Sequence, residues 1–114
     1  MKLYRGERKA GGTVATVDGR PLDPRRDLRD FRAGSFEWGY EGSGPSQLAL
    51  AILADLKGPT EALKHYKSFL RTVIAELDGD TWQLKAAEIE RRLTGTVEVP
   101  MDLATLLRKV RGEG

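Results

Sequence analysis

The sequence predicts a single α+β domain in which a small antiparallel sheet packs against three or four helices, one of them buried at the centre. Three observations lead to this prediction. A β-branched run ends at Asp18-Gly19, a pair typical of a tight hairpin turn. Residues 48–56 contain one polar residue, Asp55, and a helix that is apolar almost all round is typically surrounded by protein or by a partner. Residues 61–77 carry apolar side chains at helical spacing, which predicts an amphipathic helix.

We expect one domain over residues 1–114, mainly strand and loop over 1–40 and mainly helical over 45–111. A first strand is predicted over 2–7 and a second over Thr13–Val17. The Asp18-Gly19 turn then leads into a return arm at Arg20-Pro21-Leu22. Because Pro21 has no N–H, this arm must be short or lie at a sheet edge.

Residues 23–34 form a charged connector with few apolar side chains. We predict a tethered loop with one turn of helix, in which the Asp and Arg side chains partly pair with each other.

An aromatic run follows. Phe36, Trp38 and Tyr40 occupy alternate positions, which predicts a strand with these three side chains on one face.

The small-residue turn over 41–46 leads into the central helix. Pro45 fits the first helical position, where its missing N–H costs nothing. Gly44 is therefore predicted as the N-cap residue, with Ser43 as the alternative. The apolar run is about a dozen residues long, whereas a membrane span needs roughly 20. We therefore expect a buried helix and no membrane association.

Two or three further helices are predicted after the central one. Thr60 is expected to cap the helix over 61–77. For residues 81–84 two alternatives stay open: a helix that begins at Trp82, or a short extended piece before a helix that starts near Ala86. We favour the extended piece.

A last amphipathic helix is predicted after Asp102, and it either closes the core or docks onto a second subunit. We favour closure of the core. Its apolar stripe consists of Leu103, Leu106, Leu107 and Val110.

The composition excludes several kinds of chemistry. The chain has no Cys and one His, which excludes disulfides, thiol catalysis, Cys-based zinc sites and His-rich metal sites. The N-terminal residues lack an apolar segment, so we expect no signal peptide and a cytoplasmic protein. The net charge is +2, but residues 1–34 hold nine basic against five acidic residues (+4), and residues 35–114 hold ten against twelve (−2).

The stretch over 36–56 resembles an uncharacterised family of small proteins from bacteria, plasmids and phages, known as a domain of unknown function. The resemblance rests on the Trp-Gly-Tyr-x-Gly-Ser-Gly-Pro-x-Gln-Leu-Ala-Leu motif, which begins at Trp38, and extends over most of residues 4–93. It implies a compact α+β fold and a mobile-element context, and it supplies no activity and no catalytic residues. This chain has Lys85 where the family has Ser or Thr, which would cap the next helix.

Two sets of residues are candidates for binding. The turn before the central helix offers free N–H groups to an anion, but it lacks the Lys-Ser/Thr pair of a P-loop, and a purely structural tight turn is the alternative we favour. Its candidate residues are Ser43, Gly44 and Ser46. Candidates for contact with a macromolecular partner are Arg25, Arg26, Arg29, Arg32, Trp38 and Tyr40.

No catalytic residue, cofactor site or metal site is predicted. His65 lacks a nucleophile beside it, and the Asp78-Gly79-Asp80 stretch is too short for a calcium loop. Glu37 and Glu41 do not by themselves indicate a sugar cleft.

We therefore expect a non-enzymatic interaction module, an accessory protein of a phage or mobile element that binds a host or element-encoded macromolecule, with a protein as the favoured partner. One alternative is a nucleic-acid-associated protein that uses the basic N-terminal region. Another is a binder of a small anionic ligand, or an enzyme, at the glycine-rich turn. The oligomeric state is left open.

Overall fold

The computed structural model describes residues 2–97, and the side chains of residues 2–93. Four antiparallel strands and three α-helices confirm the predicted α+β class. The predicted last helix lies outside the described residues. The strands and helices are β1 (Leu3–Lys9), β2 (Gly12–Val17), β3 (Arg20–Pro21), α1 (Ser43–Lys57), α2 (Pro59–Thr72), a 3₁₀ turn (Ile74–Glu76), β4 (Thr81–Lys85) and α3 (Ala86–Val97).

The sheet has the order β3-β2-β1-β4. Its hairpin turn forms at Asp18-Gly19, where φ is 51° and 83°, as a type I′ turn requires. β3 lies at the sheet edge, which confirms the position predicted for Pro21. The connector also contains the predicted turn, since the Leu28 N–H donates to the Arg25 carbonyl at 3.0 Å.

One face of the sheet packs against the helices, through Tyr4, Ala15, Val17 and Trp82. The opposite face, which we call the outer sheet face, carries mainly exposed and polar side chains. Its residues are Arg5, Glu7, Val14, Thr16, Thr81 and Gln83. This alternation is typical of an antiparallel sheet with one face in water.

The prediction of a buried central helix is confirmed, because residues 44–54 of α1 are all buried. The helix begins earlier than predicted, at Ser43 with Gly42 as N-cap. The first helical bond runs from the Ser46 N–H to the Gly42 carbonyl at 2.9 Å. Pro45 therefore occupies the third helical position, where its missing N–H still falls within the unpaired first turn.

The prediction of a strand over Phe36–Tyr40 is wrong, because this segment pairs with no strand. Trp38 turns inward, 2% exposed, and its indole N–H donates to the Gly79 carbonyl at 3.0 Å. Gly39 then adopts a φ of 88°, which interrupts the extended backbone. The remaining edge of β1 is occupied by β4, so the favoured extended alternative for residues 81–84 is confirmed.

The second helix is shorter than predicted at its C-terminal end. α2 runs from Pro59 to Thr72 with Gly58 as N-cap, so Thr60 is not the cap. Val73 then leaves helical geometry, and the 3₁₀ turn follows. Leu70 and Val73 are three residues apart, as are Ile74 and Leu77, and this spacing brings side chains to one side of a 3₁₀ turn. Val73 and Ile74 are therefore still buried, and the sequence pattern does not reveal the break.

Candidate functional site

A shallow cavity of about 440 Å³ lies where the connector meets the N-terminus of α1. We call it the α1 depression. It brings together residues from both candidate sets, with Arg32 and Tyr40 from the partner set and Ser43 and Gly44 from the anion set. The lining residues are Arg32, Ala33, Gly34, Ser35, Glu37, Tyr40, Gly42, Ser43 and Gly44.

The connector that forms one wall of the depression is held by a buried glutamine of α1. Gln47 is 1% exposed. Its Nε2 amide donates to the carbonyl of Pro24 at 2.7 Å and to that of Arg29 at 3.0 Å. Its Oε1 accepts the Phe31 N–H at 3.1 Å. These three bonds satisfy a polar side chain inside an apolar helix and fix the backbone just before Arg32.

Aromatic packing fixes the same part of the connector. The Phe31 ring meets the Tyr66 ring of α2 edge-on, with centroids 5.4 Å apart. Arg29 lies over Phe31 at 4.9 Å and donates from Nη1 to the Tyr66 hydroxyl oxygen at 2.9 Å. Arg29 therefore attaches the connector to α2, and its guanidinium is already engaged.

Two further arginines of the partner set are paired within the connector. Arg25 forms a two-pronged ion pair with Asp27, whose two bonds are both 3.0 Å long. This contact holds the pKa of Asp27 below its ordinary value. Arg26 pairs with Asp30 at 3.0 Å. The pKa of Asp30 is also lowered, first by the N–H of Arg32 and then by Arg26.

Arg32 differs from these arginines. Among residues 2–97 its side chain makes no hydrogen bond or ion pair, although its N–H donates to the Asp30 carboxylate at 2.8 Å. Its backbone is held at a φ of 60°, a conformation that a non-glycine residue seldom adopts. The connector thus presents one unpaired guanidinium at the rim of the α1 depression.

Tyr40 is the exposed aromatic residue of the depression. Its side chain is 52% exposed, and its ring lies so close to Gly42 that a Cβ there would approach it to 2.8 Å. Trp38 lies inside the protein, where it packs edge-on against Trp82 and beneath the Arg8 guanidinium. Of the two predicted aromatic contact residues, only Tyr40 has an accessible side chain.

The lining of the depression holds one cation, Arg32, and one carboxylate. Its one carboxylate, Glu37, is paired with Arg8 at 2.7 Å. The first turn of α1 has no acidic residue, and Gly42 provides no side-chain cap. The partial positive charge of the helix N-terminus is therefore not offset by its own first turn. Ser46, the third residue of the anion set, does not line the depression.

The remaining polar clusters have structural roles. Arg8 also pairs with Asp80, which ties β1 to the residues before β4. At the other end of β1, the Tyr4 hydroxyl donates to the Asp55 carboxylate at 2.7 Å, and burial is the main cause that raises the pKa of Tyr4. His65 lies 3.3 Å from Glu61 on α2.

Two structural residues were missed by the sequence reasoning. Gln47 is a polar residue in an otherwise apolar helix start, and such a position is a signal for a buried hydrogen-bonded side chain. Gly6 lies inside a strand, and a Cβ there would approach Trp82 to 2.2 Å. A glycine within a strand is a recognised sign of a close approach.

The family membership follows from a comparison with protein-family models. A family described as being of unknown function matches residues 4–95, which contain both the core and the α1 depression. The chain belongs to the DUF6166 family. The match ends in α3, so the predicted last helix lies beyond the DUF6166 region. No curated protein and no solved structure matches the chain. None of the described helices of this DUF6166 chain has the length and apolar character needed to cross a membrane.

Proposed function

We propose that this protein is a small non-enzymatic interaction module, an accessory protein of a phage or other mobile element, that binds a host or element-encoded protein in the cytoplasm. The contact surface is the α1 depression. Its occupant is a segment of the partner protein that carries a carboxylate beside an apolar or aromatic side chain. The mobile-element context rests on the sequence resemblance.

The observation that supports this proposal is the meeting of Arg32 and Tyr40 at one depression. Arginine and tyrosine are enriched among residues that dominate protein–protein binding energy. Arg32 has no ion-pair partner among residues 2–97, and half of the Tyr40 surface is accessible. The depression therefore offers a cation for a carboxylate and a ring for an apolar group, side by side.

The pairing of the other arginines favours a protein over a nucleic acid. A nucleic-acid interface needs several cations that are free to contact phosphates. In the N-terminal third, Arg8, Arg25 and Arg26 are ion-paired, and Arg29 is bonded to Tyr66. Arg5, Arg20 and Arg32 make no side-chain hydrogen bond or ion pair within the described part of the chain, but they lie on three different elements: the outer sheet face, β3 and the α1 depression. Cations that are dispersed in this way suit local contacts with protein side chains better than a continuous phosphate backbone.

The proposal is tested by affinity capture from host lysate treated with nuclease. Three baits are compared: the wild-type chain, an Arg32→Glu/Tyr40→Ala double variant, and an Arg71→Glu control. Arg71 is an exposed arginine of α2 that does not line the depression. We expect a protein that is captured by the wild type and the control and lost with the double variant.

Two outcomes contradict the proposal. Capture that disappears after nuclease treatment favours the alternative in which the basic N-terminal region binds nucleic acid. Capture that is equal for the wild type and the double variant shows that the α1 depression is not the contact surface. Circular dichroism of the three baits verifies that the substitutions leave the fold intact.

A further inference from the structure

The two edges of the sheet differ in how well they resist pairing with another strand. β3 contributes two residues, and one of them, Pro21, has no N–H to donate. β4 is five residues long, contains no proline, and carries a single charge, at Lys85 at its end. Short strands, prolines and charges are the devices that protect sheet edges. β3 has all three of these features, whereas β4 has only the one charge.

The ladder between β1 and β4 determines which backbone groups point outward. The Arg8 N–H donates to the Asp80 carbonyl, and the Ala86 N–H donates to the Lys2 carbonyl. Because bonding alternates along an antiparallel strand, Trp82 and Leu84 bond to β1, whereas Thr81, Gln83 and Lys85 direct their backbone groups away from the sheet.

One of these outward groups is already engaged. The Lys85 N–H donates to the Glu88 carboxylate at 2.8 Å, at the start of α3. Within residues 2–97, the N–H groups of Thr81 and Gln83 bond to no other strand, since β4 pairs with β1 alone. The open positions therefore lie at the middle and the beginning of β4.

We propose that two copies of this chain pair antiparallel through β4, about a twofold axis at Gln83, to form a continuous eight-stranded sheet. In this register Gln83 faces Gln83 of the second copy, and the two exchange backbone hydrogen bonds. Thr81 faces Lys85, where the Thr81 N–H donates to the Lys85 carbonyl of the second copy while the Lys85 N–H keeps its bond to Glu88. Trp82 faces Leu84. The same outward-pointing residues meet in both copies, as an isologous interface requires.

Charge and side-chain pairing select this register. The positive Lys85 lies opposite the neutral Thr81, and no like charges meet. A twofold axis placed at Lys85 would instead set two lysines against each other. On the core face, Trp82 is buried and Leu84 is half-buried, and each would add apolar contact to the other across the new pair. A pair of five-residue strands buries little area, so the dimer is expected to be concentration-dependent.

The first test measures mass by sedimentation equilibrium over about a hundredfold range of concentration. We expect the wild-type mass to rise from one chain to two. Gln83→Lys and Gln83→Glu each place like charges opposite one another, so each variant alone should stay monomeric. An equal mixture of the two should regain the doubled mass. Gln83→Thr, a neutral strand-forming control, should dimerise as the wild type does.

Two results overturn the proposal. One is a wild-type mass of a single chain at every concentration. The other is a dimer whose mass is the same in the wild type and in both charged variants, which would place the interface elsewhere.

A second test verifies the register, using the absence of native cysteine. Gln83→Cys should be cross-linked to a covalent dimer by a short bismaleimide. Gly11→Cys, in the exposed turn between β1 and β2, should not be cross-linked. A mixture of Thr81→Cys with Lys85→Cys should form the mixed dimer. Equal cross-linking of Gln83→Cys and Gly11→Cys contradicts the register.

Discussion

The Nε2 amide of Gln47 donates to the Pro24 carbonyl at 2.7 Å across the boundary between the central helix and the charged connector. The same side chain bonds Arg29 and Phe31, so one residue of α1 holds three backbone positions of a segment that has no regular structure. Arg32 follows directly after these positions. The geometry of the α1 depression therefore depends on a side chain that does not line it.

Replacement of Gln47 by Leu should destabilise the protein by about 2–4 kcal/mol, because two carbonyls and one N–H of the connector lose their partner away from water. Urea unfolding measures the change. Amide hydrogen exchange at Phe31 should accelerate more than exchange in the core of α2. Lys64→Leu is the control at an exposed position of α2, and it should change stability by less than about 0.5 kcal/mol. Equal effects of the two substitutions would contradict this role of Gln47.

Gly6→Ala should destabilise the protein by about 2 kcal/mol or more, since the new Cβ would lie 2.2 Å from the Trp82 indole. The loss of stability caused by Gly6→Ala should be smaller in a chain that also carries Trp82→Leu, because the indole ring that the new Cβ would meet is then absent. Gly11→Ala is the control: a Cβ at Gly11 meets nothing within 4 Å. Thermal unfolding of the single and double variants measures the coupling. A Gly6→Ala cost that persists unchanged without Trp82 would show that the ring is not the cause.

Asp55 should make stability depend on pH in the acid range. Burial raises the pKa of its carboxyl, but the Tyr4 hydroxyl and the Lys2 ammonium together outweigh burial, so the folded pKa lies below the ordinary 3.8. A depressed folded pKa gives stability that is present above the unfolded pKa and is lost as the pH falls through the folded one. The wild type should therefore be more stable than Asp55→Asn near neutral pH.

This advantage should shrink as the pH falls below the ordinary carboxyl pKa, as measured by urea unfolding between about pH 6 and pH 2. The control is Asp78→Asn, which removes an exposed carboxylate that forms no ion pair among residues 2–97. A constant difference between the wild type and Asp55→Asn over the whole range would rule out the linkage.

Lys85→Ser should stabilise the protein by about 0.5–1 kcal/mol. Glu88 already reaches back to the Lys85 N–H at 2.8 Å, which is one half of a capping box. A serine at this position would supply the other half, because its hydroxyl oxygen can accept a hydrogen bond from a backbone N–H in the first turn of α3. The melting temperature measures the gain. If Lys85→Ser is neutral or destabilising, the helix start does not need the second cap.

Local signals sufficed for the hairpin and the central helix. Asp18-Gly19 forces positive φ in two adjacent residues, and an apolar run such as 48–54 has no stable place outside a core. The edge position of Pro21 was also predictable, because proline has no backbone N–H to donate to a neighbouring strand. These predictions needed no knowledge of distant parts of the chain.

Distant partners account for what sequence reasoning missed. The alternation of Phe36, Trp38 and Tyr40 resembles a strand, but the edge of β1 that it would need is filled by β4, about 80 residues away along the chain. Gln47 bonds backbone carbonyls, which leave no sequence signature. The meeting of Arg32 with Tyr40 depends in turn on that connection.

Amide chemical-shift mapping tests whether the α1 depression is the surface that contacts a partner protein. The isotope-labelled chain is titrated with the protein recovered by affinity capture. We expect the largest shifts on residues 32–44, around Arg32, Tyr40 and Ser43. Shifts confined to the outer sheet face or to the exposed side of α2, with residues 32–44 unchanged, would contradict this expectation.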